Sequence, residues 1–534
     1  MIDANNAARA GRSMEISGMD PSRQVIIIGA GHNGLVCAAY LARAGRRVTV
    51  LEAGERVGGL AATREFAPGY RASCAHLLYL LDSEISRDLA LESRGLELAK
   101  TDLETIALCP DGGHLTISGD RVEGPGLSSD DQAAYAEYRR FMSRFAGIIG
   151  GLHQQIPPRI RKERGDLLNL GKLALKIRLL GRDDMREFLR IAGINIYDVL
   201  QENFDNPLLK GALSLDAVLG TFSGPRSNNS VFTALHRMSG NNGGAAGSVS
   251  QVKGGMGALT EALAAAARKA GAQIRTGSEV GSILTDGDRV RGVRLADGEE
   301  LAAATVVSNA DPRTTIMELL GAQHVEAGFA KRISHFRARG TAAKLHLALD
   351  GLPDFAGLRP GQLGERLLIA PSLEYVEAAF NHVKYSEYSA RPVAEITLPI
   401  INDPSLAPAG KHVLSAIVQY APRELGGGWS DGKAAFTEVV MDLLASYAPD
   451  IREKTVAIEL LTPEDLENQY RVSGGHWHHG ELSLDQFLML RPVPRAAQYA
   501  MPVNGLYLCG AGAHPGGGVM GSAGRNAATA VLAQ

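Results

Sequence analysis

Residues 24–52 read QVIIIGAGHNGLVCAAYLARAGRRVTVLE, and this stretch decides the fold. Residues 24–28, Gln-Val-Ile-Ile-Ile, form a mainly apolar run of the kind that fills a parallel strand buried on both faces. Gly29-Ala30-Gly31-His32-Asn33-Gly34 follows at once, Leu35 to Ala44 reads as a small-residue helix ending at Gly45, and Val48 to Leu51 is a second strand closed by Glu52. Strand, glycine loop, helix, strand and acid in this order make a dinucleotide-binding βαβ unit. A pyrophosphate needs hydrogen-bond donors at close range, and the open N–H groups of a helix N-terminus supply them. Gly29 allows the tight turn, Gly31 the approach of the phosphates, and Gly34 the packing of helix on strand. Glu52, 23 residues beyond Gly29, is placed to accept hydrogen bonds from ribose hydroxyls. The unit alone leaves FAD and NAD open.

Two further blocks repeat this style. Gly254-Gly255-Met256-Gly257 opens a helix from about Ala258 to Ala270, followed by strands at 274–275 and 280–284. A hairpin then runs from 290–295 across Asp297-Gly298 to 300–301, and a buried strand covers 304–308. Residues 505–510 form a strand ending in Gly, and Gly516 to Gly518 lead into a helix predicted over Met520 to Leu532. At 534 residues the chain exceeds what one hydrophobic core usually supports. The expected architecture is α/β: a Rossmann-type nucleotide domain assembled from 23–100, 250–315 and 465–534, interleaved with an α+β substrate domain from 101–249 and 316–464.

Composition removes several function classes. A net charge of −3 gives no basic footprint for nucleic acid. The four cysteines, Cys37, Cys74, Cys109 and Cys509, form no CxxC pair, so neither a dithiol redox mechanism nor a metal knuckle is expected. Residues 1–22 lack the apolar core of a secretory signal and read as a disordered leader. No uncharged apolar run approaches the length of a membrane span, so the expected location is cytoplasmic.

Just past the acid, residues 51–63, LEAGERVGGLAAT, resemble the FAD-binding signature of the phytoene desaturase and amine oxidase superfamily. The middle block through Asn309-Ala310-Asp311-Pro312 is similar to its phytoene-desaturase-like branch. Ser473-Gly474-Gly475, His479-Gly480, Ser483 to Gln486, Arg491-Pro492 and the tail GAGAHPGGGVMGSAGRN (510–526) resemble the pyridine nucleotide-disulfide oxidoreductase domain-containing protein 2 family. The resemblance runs from about residue 24 onward. It implies FAD as cofactor and an FAD-dependent oxidoreductase acting on C–C bonds (desaturation, saturation or isomerisation) of a hydrophobic substrate. An amine-oxidase-like reaction at C–N bonds and a flavin-binding scaffold without turnover are the alternatives. Carried over by position, Gly29, Gly31, His32, Asn33, Gly34, Glu52, Gly58 and Gly59 would hold the ADP half. Val280 would meet the adenine through its backbone. Gly510, Val519, Met520 and Gly521 would approach the pyrophosphate and the flavin, the last helix aiming its positive end at the ring. Leu60 stands where many relatives in the wider superfamily carry Arg, which removes a cationic contact to the cofactor.

Two side chains are candidates for proton handling or substrate orientation: His479, in Gly-Gly-His-Trp-His-His-Gly (474–480), and His514 in the tail turn. The histidine cluster lacks the carboxylate or Cys spacing of a zinc site, so no metal is expected. Residues 159–182 carry eight Lys or Arg against Glu163 and Asp166, interleaved with leucines. Such a helix suits either an anionic membrane surface or a solvated face against the core or a second copy of the chain, which makes peripheral membrane contact and a homo-oligomer the candidate associations.

Overall fold

The computed structural model describes residues 23–159, 181–191, 193–240 and 247–534, with Gly171, Leu175, Arg178 and Leu179 between them. The expected leader and most of the basic 159–182 segment therefore lie outside the described residues.

The apolar run becomes β1 (Gln24–Ile28), the middle strand of a five-stranded parallel sheet. On one side it pairs with β2 (Arg47–Leu51), and beyond that lies Gln273–Arg275. On the other side Thr305–Ser308 and then Leu506–Leu508 continue the sheet. Val25, Ile26 and Ile27 are at most 1% exposed, as a strand covered on both faces requires. The sheet thus collects strands from all three glycine-marked blocks.

Helix α1 (His32–Arg43) starts directly after Gly31, so His32 and Asn33 belong to its first turn instead of the loop. Its closeness to the sheet depends on Gly34, where a Cβ would overlap the Gly29 carbonyl oxygen. The C-terminal helix Ser522–Leu532 packs across α1 just as tightly, because a Cβ on Gly524 would overlap the Asn33 carbonyl. This helix begins two residues later than predicted. Val519 (φ +56°) and Gly521 (φ +80°) are left-handed and break any helical run through Met520.

The second large sheet has eight strands in the order 455–461, 342–349, 412–419, 393–397, 366–369, 105–107, 115–118 and 121–123. Neighbours are antiparallel apart from 366–369 beside 105–107. Every residue of Ala342–Leu349 is buried. Leu345 and Leu347 pack into the core formed with the helix Trp429–Ala445. Strand alternation turns Lys344 and His346 to the opposite face. Among the described residues no helix is long and apolar enough to cross a membrane.

Candidate active site

The site is built first by the loop after β1. Ala30 N donates to Glu52 Oε2 at 2.7 Å and Gly54 N donates to Oε1 at 2.9 Å, which fixes the carboxylate at the end of β2. Gly58 N donates to the Ala30 carbonyl at 2.9 Å. Gly58 sits at φ +118°, and a Cβ there would meet Thr260 Oγ1 at 2.7 Å, so the second glycine pair is held against the first loop by backbone alone. Asn309, anchored by its N–H to the Ile28 carbonyl at 2.8 Å, places its side-chain amide beside Gly31.

These groups open into a cleft of about 270 Å³. Of the residues singled out in the sequence, Gly29, Gly31, His32, Asn33, Glu52, Gly58, Gly59, Val280, His479 and Val519 line it. Gly34, Gly510, Met520 and Gly521 stand behind this wall as packing elements: Gly510 lies against the Asn309 carbonyl, and the Met520 carbonyl accepts from Asp82 N at 3.1 Å. His514 is also outside the wall. Its Nε2 faces the Leu152 carbonyl at 2.9 Å, Tyr499 donates to its own carbonyl at 2.7 Å, and its ring packs on Phe487. Of the two candidate histidines, only His479 therefore lines the cleft. Leu60 brings no charge to the wall, and Arg471 lines it instead, paired with Glu279 at 2.9 Å.

The face opposite the glycine loop carries groups that the sequence reading missed. Lys344 Nζ lies 2.7 Å from His76 Nδ1, and His76 Nε2 lies 3.1 Å from Glu395 Oε1. Glu395 Oε2 accepts from Arg366 Nε at 2.6 Å and from Arg237 Nη2 at 3.1 Å. His76, Glu395 and Arg237 line the cleft. Burial lowers Lys344 to about 7 and His76 to about 4, the second with help from the neighbouring ammonium. Burial alone would raise Glu395, but Arg366, Arg237 and the His76 hydrogen bond hold it well below the usual carboxylate range. A neutral His76 accepting from Lys344 at Nδ1 presents its N–H to an ionised Glu395. Beside this group His346 Nδ1 bonds Glu459 at 2.8 Å, and Arg64 ties the same carboxylate to the Tyr470 hydroxyl. The available signal was Lys344 and His346 alternating with leucines inside an apolar strand.

The third wall is the turn 511–519 with the loop 477–479. Val519 (φ +56°) and His479 (φ +52°) both adopt left-handed backbone, and for a β-branched valine that is a strained conformation of the kind concentrated at ligand sites. Gly517 is required, because a Cβ would overlap His478 Nδ1. Burial lowers His479, opposed by the nearby Asp311 carboxylate.

FAD fits this arrangement. His32 Nε2, His478 Nδ1 and His479 Nδ1 are buried in the wall with no protein partner. Each such group costs about 1–3 kcal/mol unless something else satisfies it. The glycine cradle would hold a pyrophosphate on its backbone N–H groups, Glu52 would take the ribose hydroxyls, and Val280, which also lines the cleft, would meet the adenine. When bound, FAD supplies a two-electron acceptor. Among the described residues no cluster of His, Cys, Asp or Glu is arranged to hold a metal.

Comparison with known proteins agrees. The family described as flavin containing amine oxidoreductase matches residues 34–532. Pyridine nucleotide-disulfide oxidoreductase domain-containing protein 2 of Mus musculus is 37% identical, over 96% of this chain and 94% of its own. A limonene dehydrogenase polypeptide of Castellaniella defragrans is 26% identical, over 95% and 94%. Among solved structures, putrescine oxidase bound to putrescine superposes with a TM-score of 0.59 at 15% identity, covering 96% of this chain and 99% of that one, a likeness of fold alone.

Proposed function

Because the chain belongs to the flavin-containing amine oxidoreductases, alongside pyridine nucleotide-disulfide oxidoreductase domain-containing protein 2, and is therefore an FAD-dependent oxidoreductase, we propose that it acts on a C–C bond of a hydrophobic substrate. The observation that carries this reading is the state of Tyr79. A substrate ammonium is usually held by open aromatic faces. Here the Tyr79 ring is already covered by the Arg237 guanidinium at 4.5 Å, so that face is closed to a substrate ammonium. Leu60, Leu77, Ile417, Val472 and Trp477 supply apolar surface nearby. The similarity to a limonene dehydrogenase, named for a hydrocarbon, supports the same class.

In such a reaction a hydride and a proton leave the substrate, and this chain's contribution is to orient the apolar skeleton, exclude water and take up the proton. The His76–Lys344 pair is the group suited to the last task, since Lys344 at about 7 is poised between its two protonation states near neutrality.

The test is anaerobic mixing of the yellow holoprotein with a cyclic monoterpene, a polyene and a set of primary amines, following the flavin absorbance. Bleaching by a hydrocarbon and not by amines is the expected result. Bleaching by amines alone overturns the proposal, and so does a flavin that none of these reduces while the protein binds vesicles or a partner.

A further inference from the structure

Arg491 is fully buried, with 0% of its surface exposed. Its donors reach six backbone carbonyls: Ala511 at 2.7 Å, His478 at 2.8 Å, Glu481 at 2.9 Å, Ala513 and Gln486 at 3.2 Å, and Gly480 at 3.3 Å. Among the described residues no carboxylate lies within ion-pair distance of it. Glu481, whose backbone carbonyl it holds, spends its side chain on Arg337 and Arg339. A buried charge without a counter-charge is costly, because carbonyl dipoles solvate a cation but leave its net charge in place. Burial accordingly pushes the guanidinium down to about 9.

The charge stands directly behind the cleft. Two of its acceptors, His478 and Ala511, are themselves cleft-lining residues, and Gly516 in the turn 511–519 packs against it, a Cβ there lying 3.7 Å from Arg491 Nε. Its field reaches every imidazole packed around it. From the loop 476–479 these are His476, His478 and His479, from the tail turn His514, and from the helix Ser230–Met238 His236; in each, burial is the largest effect against protonation and Arg491 adds to it. Glu481, Asp311 and Arg237 complete the charged groups facing this cluster. A field that disfavours positive charge on the cleft-lining His479 favours negative charge at the same place. The other positive element there, the N-terminus of Ser522–Leu532, is partly offset by Asp82, whose carboxylate lies 3.4 Å from the Ser522 hydroxyl and 2.9 Å from Arg525.

We infer that Arg491 is the standing counter-charge for negative charge formed in the cleft, so that it stabilises reduced FAD in its anionic form and raises the potential of the bound flavin. The inference rests on the FAD reading above. Arg491 acts through space as a positioning charge, and its role differs from that of the carbonyl cross-links it also makes.

The experiment uses the FAD-loaded full chain, with Arg491→Met and Arg491→Lys, and measures the flavin midpoint potential by reduction against a reference dye. Arg491→Met should shift the reduction equilibrium at least tenfold toward oxidised flavin, which is about 30 mV downward for a two-electron couple. Arg491→Lys, which keeps the charge, should stay near the wild-type potential. A yellow Arg491→Met protein with an unchanged potential overturns the inference. Should that variant not retain FAD, the wild type decides: reduced holoprotein titrated by absorbance across neutral pH should keep the anionic spectrum, and a titration matching free reduced FAD overturns the inference. A wild type that never takes up FAD instead sinks the cofactor reading.

Discussion

Lys344 Nζ and His76 Nδ1 are 2.7 Å apart although 268 residues separate them in the chain. Lys344 stands in a strand whose every residue is buried, and His76 reaches it from the segment that follows the glycine-rich loop. The pair therefore ties that strand of the eight-stranded sheet to the cleft-lining segment around His76. Holding an amine there costs desolvation, which is why its proton is lost near neutrality.

That cost makes stability depend on pH. Lys344 titrates near 10.5 in the unfolded chain and at about 7 in the fold. Between these values the unfolded chain binds the extra proton, so stability rises with pH across this window; below about 7 both states are protonated and the penalty is fully present. Each unit is worth about 1.4 kcal/mol, so the whole effect amounts to a few kcal/mol. Denaturant unfolding of wild type and Lys344→Met at pH 7 and pH 10 should show the wild type gaining on the variant at the higher pH. Parallel curves would remove Lys344 from the account. The variant should also lose about 10²–10⁴-fold in the rate of flavin reduction by substrate, the range of one proton-transfer group.

Glu52 accepts from two backbone N–H groups, Ala30 at 2.7 Å and Gly54 at 2.9 Å, and so holds the loop as well as lining the cleft. Hydrogen bonds to a charged group contribute about 1.5–3 kcal/mol. Glu52→Ala should weaken FAD binding by roughly 10–100-fold, read by release of yellow colour on dilution and dialysis. Unchanged retention would mean that the carboxylate only shapes the loop.

How much of this was legible in the sequence follows from distance along the chain. Val25 to Glu52 declares itself because strand, loop, helix and acid are contiguous, and each glycine has a local steric reason. The strand 305–308 and the tail announced themselves for the same cause. His76, Lys344 and Glu395 did not, because their pairing is made by the fold across 268 and 319 residues, and no local period marks it. His514 was hard to place for the converse reason: a histidine in a glycine-rich turn looks available, whereas the fold sets it outside the cleft wall with Nε2 on the Leu152 carbonyl and its ring against Phe487.

Two glycines give a paired test of the cleft geometry. A Cβ on Gly517 would overlap His478 Nδ1, whereas one on Gly147, in the helix Ser129–His153, would meet nothing within 4 Å. Gly517→Ala should therefore displace the His478 loop and lower FAD occupancy. Gly147→Ala should leave occupancy alone and raise Tm slightly, since Ala is favoured over Gly in a helix by up to about 1 kcal/mol. Equal behaviour of the two variants in FAD titration and thermal melts would contradict the tight packing at Gly517.

His479 and His514 should separate by kinetics. His479 lines the cleft with Nδ1 unpartnered, while His514 is 0% exposed and holds the Leu152 carbonyl through Nε2 at 2.9 Å. Replacing His514 by Ala leaves a cavity and an unsatisfied buried carbonyl, a loss on the order of 2–4 kcal/mol. Its surviving folded fraction should reduce FAD with near-normal KM and kcat. His479→Ala removes a ring that a bound group would meet, so its stability should change little while substrate turnover or FAD affinity falls. The left-handed backbone at His479 sharpens the comparison, because His479→Asn keeps a side chain that tolerates φ +52° and supplies a donor and an acceptor, and it should recover part of the loss. If the His514 variant instead loses turnover at normal stability, the tail turn and not the 476–480 loop carries the reacting imidazole.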